Sequence, residues 1–312
     1  MKDLADVCSI AVVQSRPSLF DRDACVAHVV KTVEHIAREH PSDLVVFPEL
    51  LIPGYPHGLT FGFVVGARTA DVQADWKRYY DGSIVVGGAE TEAMAEAARR
   101  AGAWVSVGVS ERDAASGTLY NTNLVFSPEG KLDAWHRKLK PTGAERCVWG
   151  DAQDRYFPVS QTPWGPMGTL ICWENYMPLA RVALYQKGVT IYLAPNTNDN
   201  PEWQHTIRHI ALEGRCYVVN CAPYFCRADY PDDLSLLSKR EIAGLPEVVY
   251  RGGSCVVDPH GHYVEGAEPL WDTDGILYAE LDMARVAADK WDFDAIGHYA
   301  RPDVLRLEVN DS

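Results

Sequence analysis

The stretch MGTLICWENYMPLARVALYQKGVTIYLAPNTN, spanning residues 167–198 with Val189 between its last two segments, decides the architecture. Its apolar opening, MGTLICWEN, reads as a strand, YMPLARVALYQKG as a helix begun near Met177 and Pro178, and TIYLAPNTN as a second strand. Downstream the alternation continues, with PEWQHTIRHIALEGR as a helix carrying Pro201 in its first turn and CYVVNCAPYF as a strand. Upstream, CSIAVVQS at 8–15 is a short buried strand, and Val26, Val29, Val33, Ile36 and Ala37 recur at helical spacing behind Asp21, a suitable N-cap. LVVFPEL at 44–50 is a further buried strand, whose ladder Pro48 interrupts just before Glu49. ETEAMAEAARRAGA is a helix with Gly102 as its C-terminal cap, and WVSVGVSERD, LYNTNLVFSPEG and KLDAWHRKLKP form a meander. The last third supplies a hairpin around Asp258–Gly261, then a strand and a short helix in GILYAELDMARV.

A length of 312 residues allows one domain or two. No Gly/Ser linker, charge block or repeat divides the chain, so one α/β domain with sheets packed between helices is expected. A chain of this length buries roughly three quarters of its unfolded surface. With 47% hydrophobic residues it builds a full core, which excludes disordered and collagen-like classes. Lys and Arg number 29 against 43 Asp and Glu, a net charge of −14, which argues against nucleic acid and anionic membranes as partners. A neutral small substrate is neither favoured nor opposed by that charge. The start, MKDLADVCSIAVVQS, is acidic and lacks the basic and apolar regions of a secretion signal, so a reducing, cytoplasmic location is expected for the eight cysteines. No apolar run approaches the roughly 18 residues that cross a bilayer, and no CxxC pair suggests zinc or redox chemistry.

Several common sites have no counterpart in the chain: there is no GxxxxGK[ST] loop, no GxGxxG after a strand and no GxSxG elbow. His205 and His209 form HxxxH, but Thr206 stands where a zinc protease carries its Glu, so a solvated or packed helix face is the expectation. Three reactive residues do fall at strand ends. Glu49 sits at the rim of the core, where partial desolvation raises a carboxylate's pKa and makes a proton acceptor. Lys138, on a strand ending at Pro141, offers an ammonium for developing negative charge. Cys172 lies on a strand-to-helix turn, where backbone N–H groups and nearby cations are expected to lower its pKa toward a nucleophilic thiolate. Each residue taken singly is ordinary. Together a base, a cation and a thiol suffice to attack an electrophilic carbon bound to nitrogen.

At these residues the chain resembles the nitrilase, or carbon-nitrogen hydrolase, superfamily, and within it the true nitrilases. The resemblance rests on FPELLIPGYP around Glu49, HRKLKPTGAERCVWG around Lys138 and LICWENYMPLAR around Cys172, with support from APNTND at 194–199 and RHIALEGRCYVV at 208–219. It implies a four-layer αββα sandwich in a single domain over residues 1–285, with a tail over 286–312. It also implies a Glu49–Lys138–Cys172 triad, Glu145 as a second carboxylate that positions the lysine or substrate, and an oxyanion hole of the Lys138 ammonium and the Trp173 backbone N–H. The implied reaction converts an organic nitrile and water to a carboxylic acid and ammonia through a thioimidate and a thioester, without metal or cofactor. Tyr55 and Trp173 are the expected substrate-binding residues, the loop 57–80 and the stretch from Tyr217 to Phe225 the expected pocket walls, and a homodimer or larger homo-oligomer the expected assembly. The rival readings are an amidase or N-carbamoyl hydrolase using the same triad, and a non-catalytic binding or assembly member of the family. Cys172 is expected to react with an alkylating agent before the other seven thiols.

Overall fold

The computed structural model describes residues 5–154 and 156–310, so the first residues of the chain and the last two of the tail lie outside the described residues. In chain order the elements are β1 (Val7–Gln14), α1 (Arg22–Glu39), β2 (Leu44–Val46), β3 (Phe63–Val64), β4 (Ala67–Arg68), α2 (Gln73–Gly82), α3 (Ala89–Ala101), β5 (Trp104–Arg112), β6 (Leu119–Phe126) and β7 (Leu132–Arg137). There follow β8 (Val159–Thr162), β9 (Gly165–Thr169), α4 (Pro178–Gln186), β10 (Ile191–Pro195), α5 (Trp203–Gly214), β11 (Tyr217–Cys221), β12 (Tyr224–Cys226), α6 (Leu236–Ala243), β13 (Val248–Val257), β14 (Leu270–Trp271), β15 (Gly275–Asp282) and α7 (Ala284–Ala288).

Two large sheets result. One runs β15-β1-β2-β5-β6-β7 and the other β12-β13-β11-β10-β9-β8, with β14 on β13. Strands β1, β2 and β5 are mutually parallel, as are β9, β10 and β11, because α1 and the α4 and α5 crossovers return the chain to the same edge. Strands buried on both faces are apolar on both. Ile10, Val12, Leu44 and Val46 of the first sheet meet Met167, Ile191, Leu193 and Val219 of the second between the sheets. Ala11, Val13, Val45 and Val105 point the other way onto Val29, Val33 and Ile36 of α1 and Met94, Ala97 and Ala98 of α3. Tyr192, Ala194 and Val218 likewise face Ala183 and Leu184 of α4 and Ile207, Ile210 and Ala211 of α5. The order is helices, sheet, sheet, helices: a four-layer αββα sandwich in one domain.

Local signals act as read. The Asp21 side chain accepts from the Ala24 N–H to cap α1, and Gly102 closes α3 at φ 63°, a left-handed conformation that glycine adopts without strain. The differences lie at the strand ends. Strand β2 stops at Val46 and β9 at Thr169, each shorter than the apolar run containing it, and Lys138 lies one residue beyond β7 instead of inside it. The segment 57–80 is no plain loop: it folds into the β3–β4 hairpin and most of α2.

Candidate active site

The four catalytic candidates come from four chain segments and meet at the ends of strands from both sheets. After β2, the Phe47 N–H still donates to Ser106 O at 2.8 Å, and Pro48 then releases the backbone so that Glu49 turns inward. Gly108 of β5 lies directly against this turn. A Cβ there would sit 2.4 Å from Pro48 O and 2.7 Å from Glu49 Cα, so only glycine lets the strand approach. The Lys138 N–H donates to Asn121 O at 2.7 Å, which fixes the lysine backbone to β6. Cys172 opens a 3-10 turn, Cys172–Tyr176, at φ 51°, a backbone region that costs free energy for any residue but glycine. Glu145 lies in the 3-10 turn Gly143–Cys147, and its side chain accepts from the Thr142 N–H at 2.8 Å in a capping box.

Lys138 is the hub. Its fully buried Nζ donates to Glu49 Oε1 at 2.7 Å and to Glu145 Oε2 at 2.9 Å. Asn121 Nδ2 donates to Glu49 Oε1 at 2.7 Å and Thr197 Oγ1 to Glu49 Oε2 at 2.9 Å, while the Tyr55 hydroxyl donates to Glu145 Oε1 at 2.8 Å.

Burial raises the Glu49 carboxyl above its usual range, with Lys138 opposing the rise. Burial would push Lys138 down, but Glu49, Cys172 and Glu145 outweigh it, and the ammonium is held charged. Cys172 departs from the sequence expectation. Burial and then the Glu49 carboxylate push its thiol well up, against Lys138, which favours the thiol over the thiolate. Nearby charge of the right sign is present; desolvation dominates it. The alkylation expectation changes with it, because Cys147 is exposed on the surface whereas Cys172 is buried.

Of the two residues expected to touch substrate, Tyr55 joins the cluster, hydrogen-bonded to Glu145 and stacked on Trp149 at 6.0 Å. The Trp173 indole is not brought in: it is 51% exposed and packs edge-on against Tyr176. Its backbone N–H, second in the 3-10 turn, has no partner within that turn. Sequence reading missed Asn121, Thr197 and Tyr250. Tyr250 is buried, its hydroxyl is 2.9 Å from His57 Nδ1, and its ring packs on Tyr55 at 6.1 Å. A usable signal existed for Asn121: Asn121-Thr-Asn123 sets three polar residues inside an apolar, fully buried strand. The β3–β4 hairpin, with Phe63, Val64 and Val65, walls a cavity of about 520 Å³ whose far side is Cys147, two residues past Glu145. Among the described residues no group of three or more His, Cys, Asp or Glu is arranged to hold a metal, and no helix is long and apolar enough to cross a membrane.

A buried carboxylate and ammonium lie near a buried thiol at the ends of strands from both sheets, and residues 9–290 match the carbon-nitrogen hydrolase family. The chain belongs to that family. It is 44% identical over 302 residues to an aliphatic nitrilase of Sinorhizobium fredii, covering 96% of this chain and 95% of that one. It is 42% identical over 272 residues to nitrilase 2 of Arabidopsis thaliana, covering 86% and 79% respectively. These relatives put the chain in the true nitrilase branch. Its fold is that of Saccharomyces cerevisiae Nit3, a member of branch 10 of the nitrilase superfamily, with a TM-score of 0.73 at 20% identity over 96% of this chain and 99% of that one.

Proposed function

We propose that the protein is a nitrilase that hydrolyses an organic nitrile to the carboxylic acid and ammonia, with Cys172 as nucleophile, Glu49 as proton carrier, Lys138 as the charge-stabilising group and Glu145 as its support. The observation that carries this reading is the buried Glu49–Lys138–Glu145 chain of hydrogen bonds beside a strained cysteine turn, in a chain similar along nearly its whole length to an aliphatic nitrilase.

The steps follow from the protonation states. Glu49 takes the thiol proton as the sulfur adds to the nitrile carbon. Negative charge building on the nitrogen meets the Lys138 ammonium and the Trp173 N–H, and the proton passes to nitrogen to give a thioimidate. A water deprotonated by Glu49 adds to that carbon, and protonated nitrogen departs as ammonia, leaving a thioester. A second water, again deprotonated by Glu49, releases the acid and the proton returns to sulfur. The nitrile and two waters become acid and ammonia, with no electron transferred. Asn121 Oδ1, buried without a protein partner, leaves one acceptor for water or substrate nitrogen beside Glu49.

The cavity between the β3–β4 hairpin and Cys147, two residues from Glu145, is the approach we assign to the substrate's R group. Residues 1–285 form the catalytic unit in this reading, and 286–312 a tail that packs back through Ile296, Leu307 and Val309. Eight free cysteines support a reducing, cytoplasmic location. A homodimer is supported by exposed Trp173, Tyr176, Met177, Leu179 and Leu212 on and around α4 and α5. A panel of matched nitriles and amides with product identification tests the activity: acid and ammonia from nitriles are expected, and turnover of amides alone would replace this reading with an amidase.

A further inference from the structure

Glu174 lies two residues past the nucleophile, is 1% exposed, and forms no hydrogen bond with any of the four catalytic side chains. Its oxygens nevertheless make three hydrogen bonds. Oε2 accepts from the Ile171 N–H at 2.6 Å and faces His136 Nε2 at 3.0 Å, and Oε1 accepts from the Leu139 N–H at 2.6 Å. Ile171 immediately precedes Cys172 and Leu139 immediately follows Lys138. One carboxylate therefore grips the backbone on either side of the gap between the nucleophile and its cation, tying the end of β7 to the cysteine turn. Because a carboxylate only accepts, His136 donates from Nε2, and its Nδ1 is left as a buried acceptor without a partner.

We infer that Glu174 is a positioning residue which sets the distance between the Lys138 ammonium and the Cys172 sulfur, and that His136 holds it in that role. This rests on the nitrilase reading of Cys172 and Lys138. Both residues of the pair sit just outside a strand: Lys138 is one residue past the end of β7, held there by one backbone bond to Asn121 O and one from the Ala152 N–H, and Cys172 is held at positive φ. Without the clamp the two turns relax independently, and displacement of about 1 Å between reacting groups is enough for an effect on the order of 100-fold.

The test uses Glu174→Gln and His136→Gln in the full chain. Glutamine has one acceptor oxygen, so at least one of the two flanking N–H groups must face an NH2 donor. The readouts are kcat per active site, titrated by a nitrile-derived electrophile that modifies Cys172, together with KM and the amide-to-acid product ratio. A purely structural role lowers the titrated fraction and leaves kcat per site and the product ratio alone. The expectation for Glu174→Gln is a loss of kcat per site on the order of 100-fold, KM within about threefold, and a changed product ratio. The expectation for His136→Gln, which exchanges the rigid ring donor for a flexible amide donor, is a smaller loss in the same direction. If Glu174→Gln does not yield folded protein, His136→Gln decides alone. Unchanged kcat per site and product ratio in the folded variants, with active wild type, would overturn the inference. Absence of nitrile turnover in the wild type would instead overturn the nitrilase reading beneath it.

Discussion

In the proposed reaction, burial favours the thiol form of Cys172, so its nucleophilicity depends on Glu49 taking the proton as the sulfur attacks. The pH profile follows with a definite sign. Glu49 must be ionised to act, and burial raises its pKa above 4.5, so kcat/KM should fall as pH drops through a midpoint above that value. On the alkaline side Cys172 is raised well past the ordinary 9.0 and Lys138 past 10.5, so the rate should stay level through pH 9. A rate that instead climbs between about pH 8 and 9, as a free thiol does on ionising, would contradict the coupled proton transfer. Glu145 acts through Lys138 and Tyr55: Glu145→Gln should lower kcat by about 100-fold, with the loss concentrated in kcat and not in KM. Equal kcat in the variant would show that Glu145 supports the turn only through its cap. At this scale the clustered candidates Glu49, Lys138, Glu145 and Cys172 were legible because each sits in a short local motif. Asn121 and Tyr250 were not, because they reach Glu49 and Tyr55 from strands remote in sequence; Thr197, just past the end of β10, lies in the quoted APNTND stretch but was not singled out, and the same reasoning misjudged the Cys172 thiol because desolvation belongs to the packed core and not to its neighbours along the chain.

At the scale of elements, the site depends on strand ends that approach closely. Gly108 of β5 faces Pro48 O, Leu50 N and Glu49 Cα at distances that leave no room for a methyl group. Gly108→Ala should force the Glu49 turn away, destabilising the fold by about 1–3 kcal/mol and lowering kcat beyond the loss of folded protein. Thermal unfolding and kcat per titrated site measure the two effects, and an alanine variant with wild-type values of both would show that the turn has slack. Helix and strand order was readable because burial on both faces writes continuous apolar runs, as in β1 and β10, and because caps such as Asp21 and Gly102 mark helix ends. Strand ends were read too long at Lys138 and around Cys172, since an apolar run continues past the last ladder bond into the turn that presents the side chain. The β3–β4 hairpin was missed because it is two residues per strand and exposed, so neither period nor burial marks it.

For the whole molecule, the sandwich places the site between two sheets and leaves the outer face of α4 and α5 partly apolar, with Leu179 66% exposed. Light scattering should give twice the chain mass, and Leu179→Glu should shift it toward the monomer; a wild-type monomer at micromolar concentration would remove the dimer proposal. The negative charge of −14 has no role in drawing a neutral nitrile to the site, so kcat/KM should change less than about twofold between low and moderate salt. The central claim is nitrile hydrolysis through Cys172, and its most direct measurement is intact-protein mass after rapid acid quench with an aliphatic nitrile, followed by peptide mapping and product analysis. The account expects an acyl adduct on Cys172, with ammonia and the carboxylic acid accumulating in equal amounts, and neither in Cys172→Ala. Acid and ammonia released at wild-type rate by Cys172→Ala, or an adduct mapped to another cysteine, would contradict it.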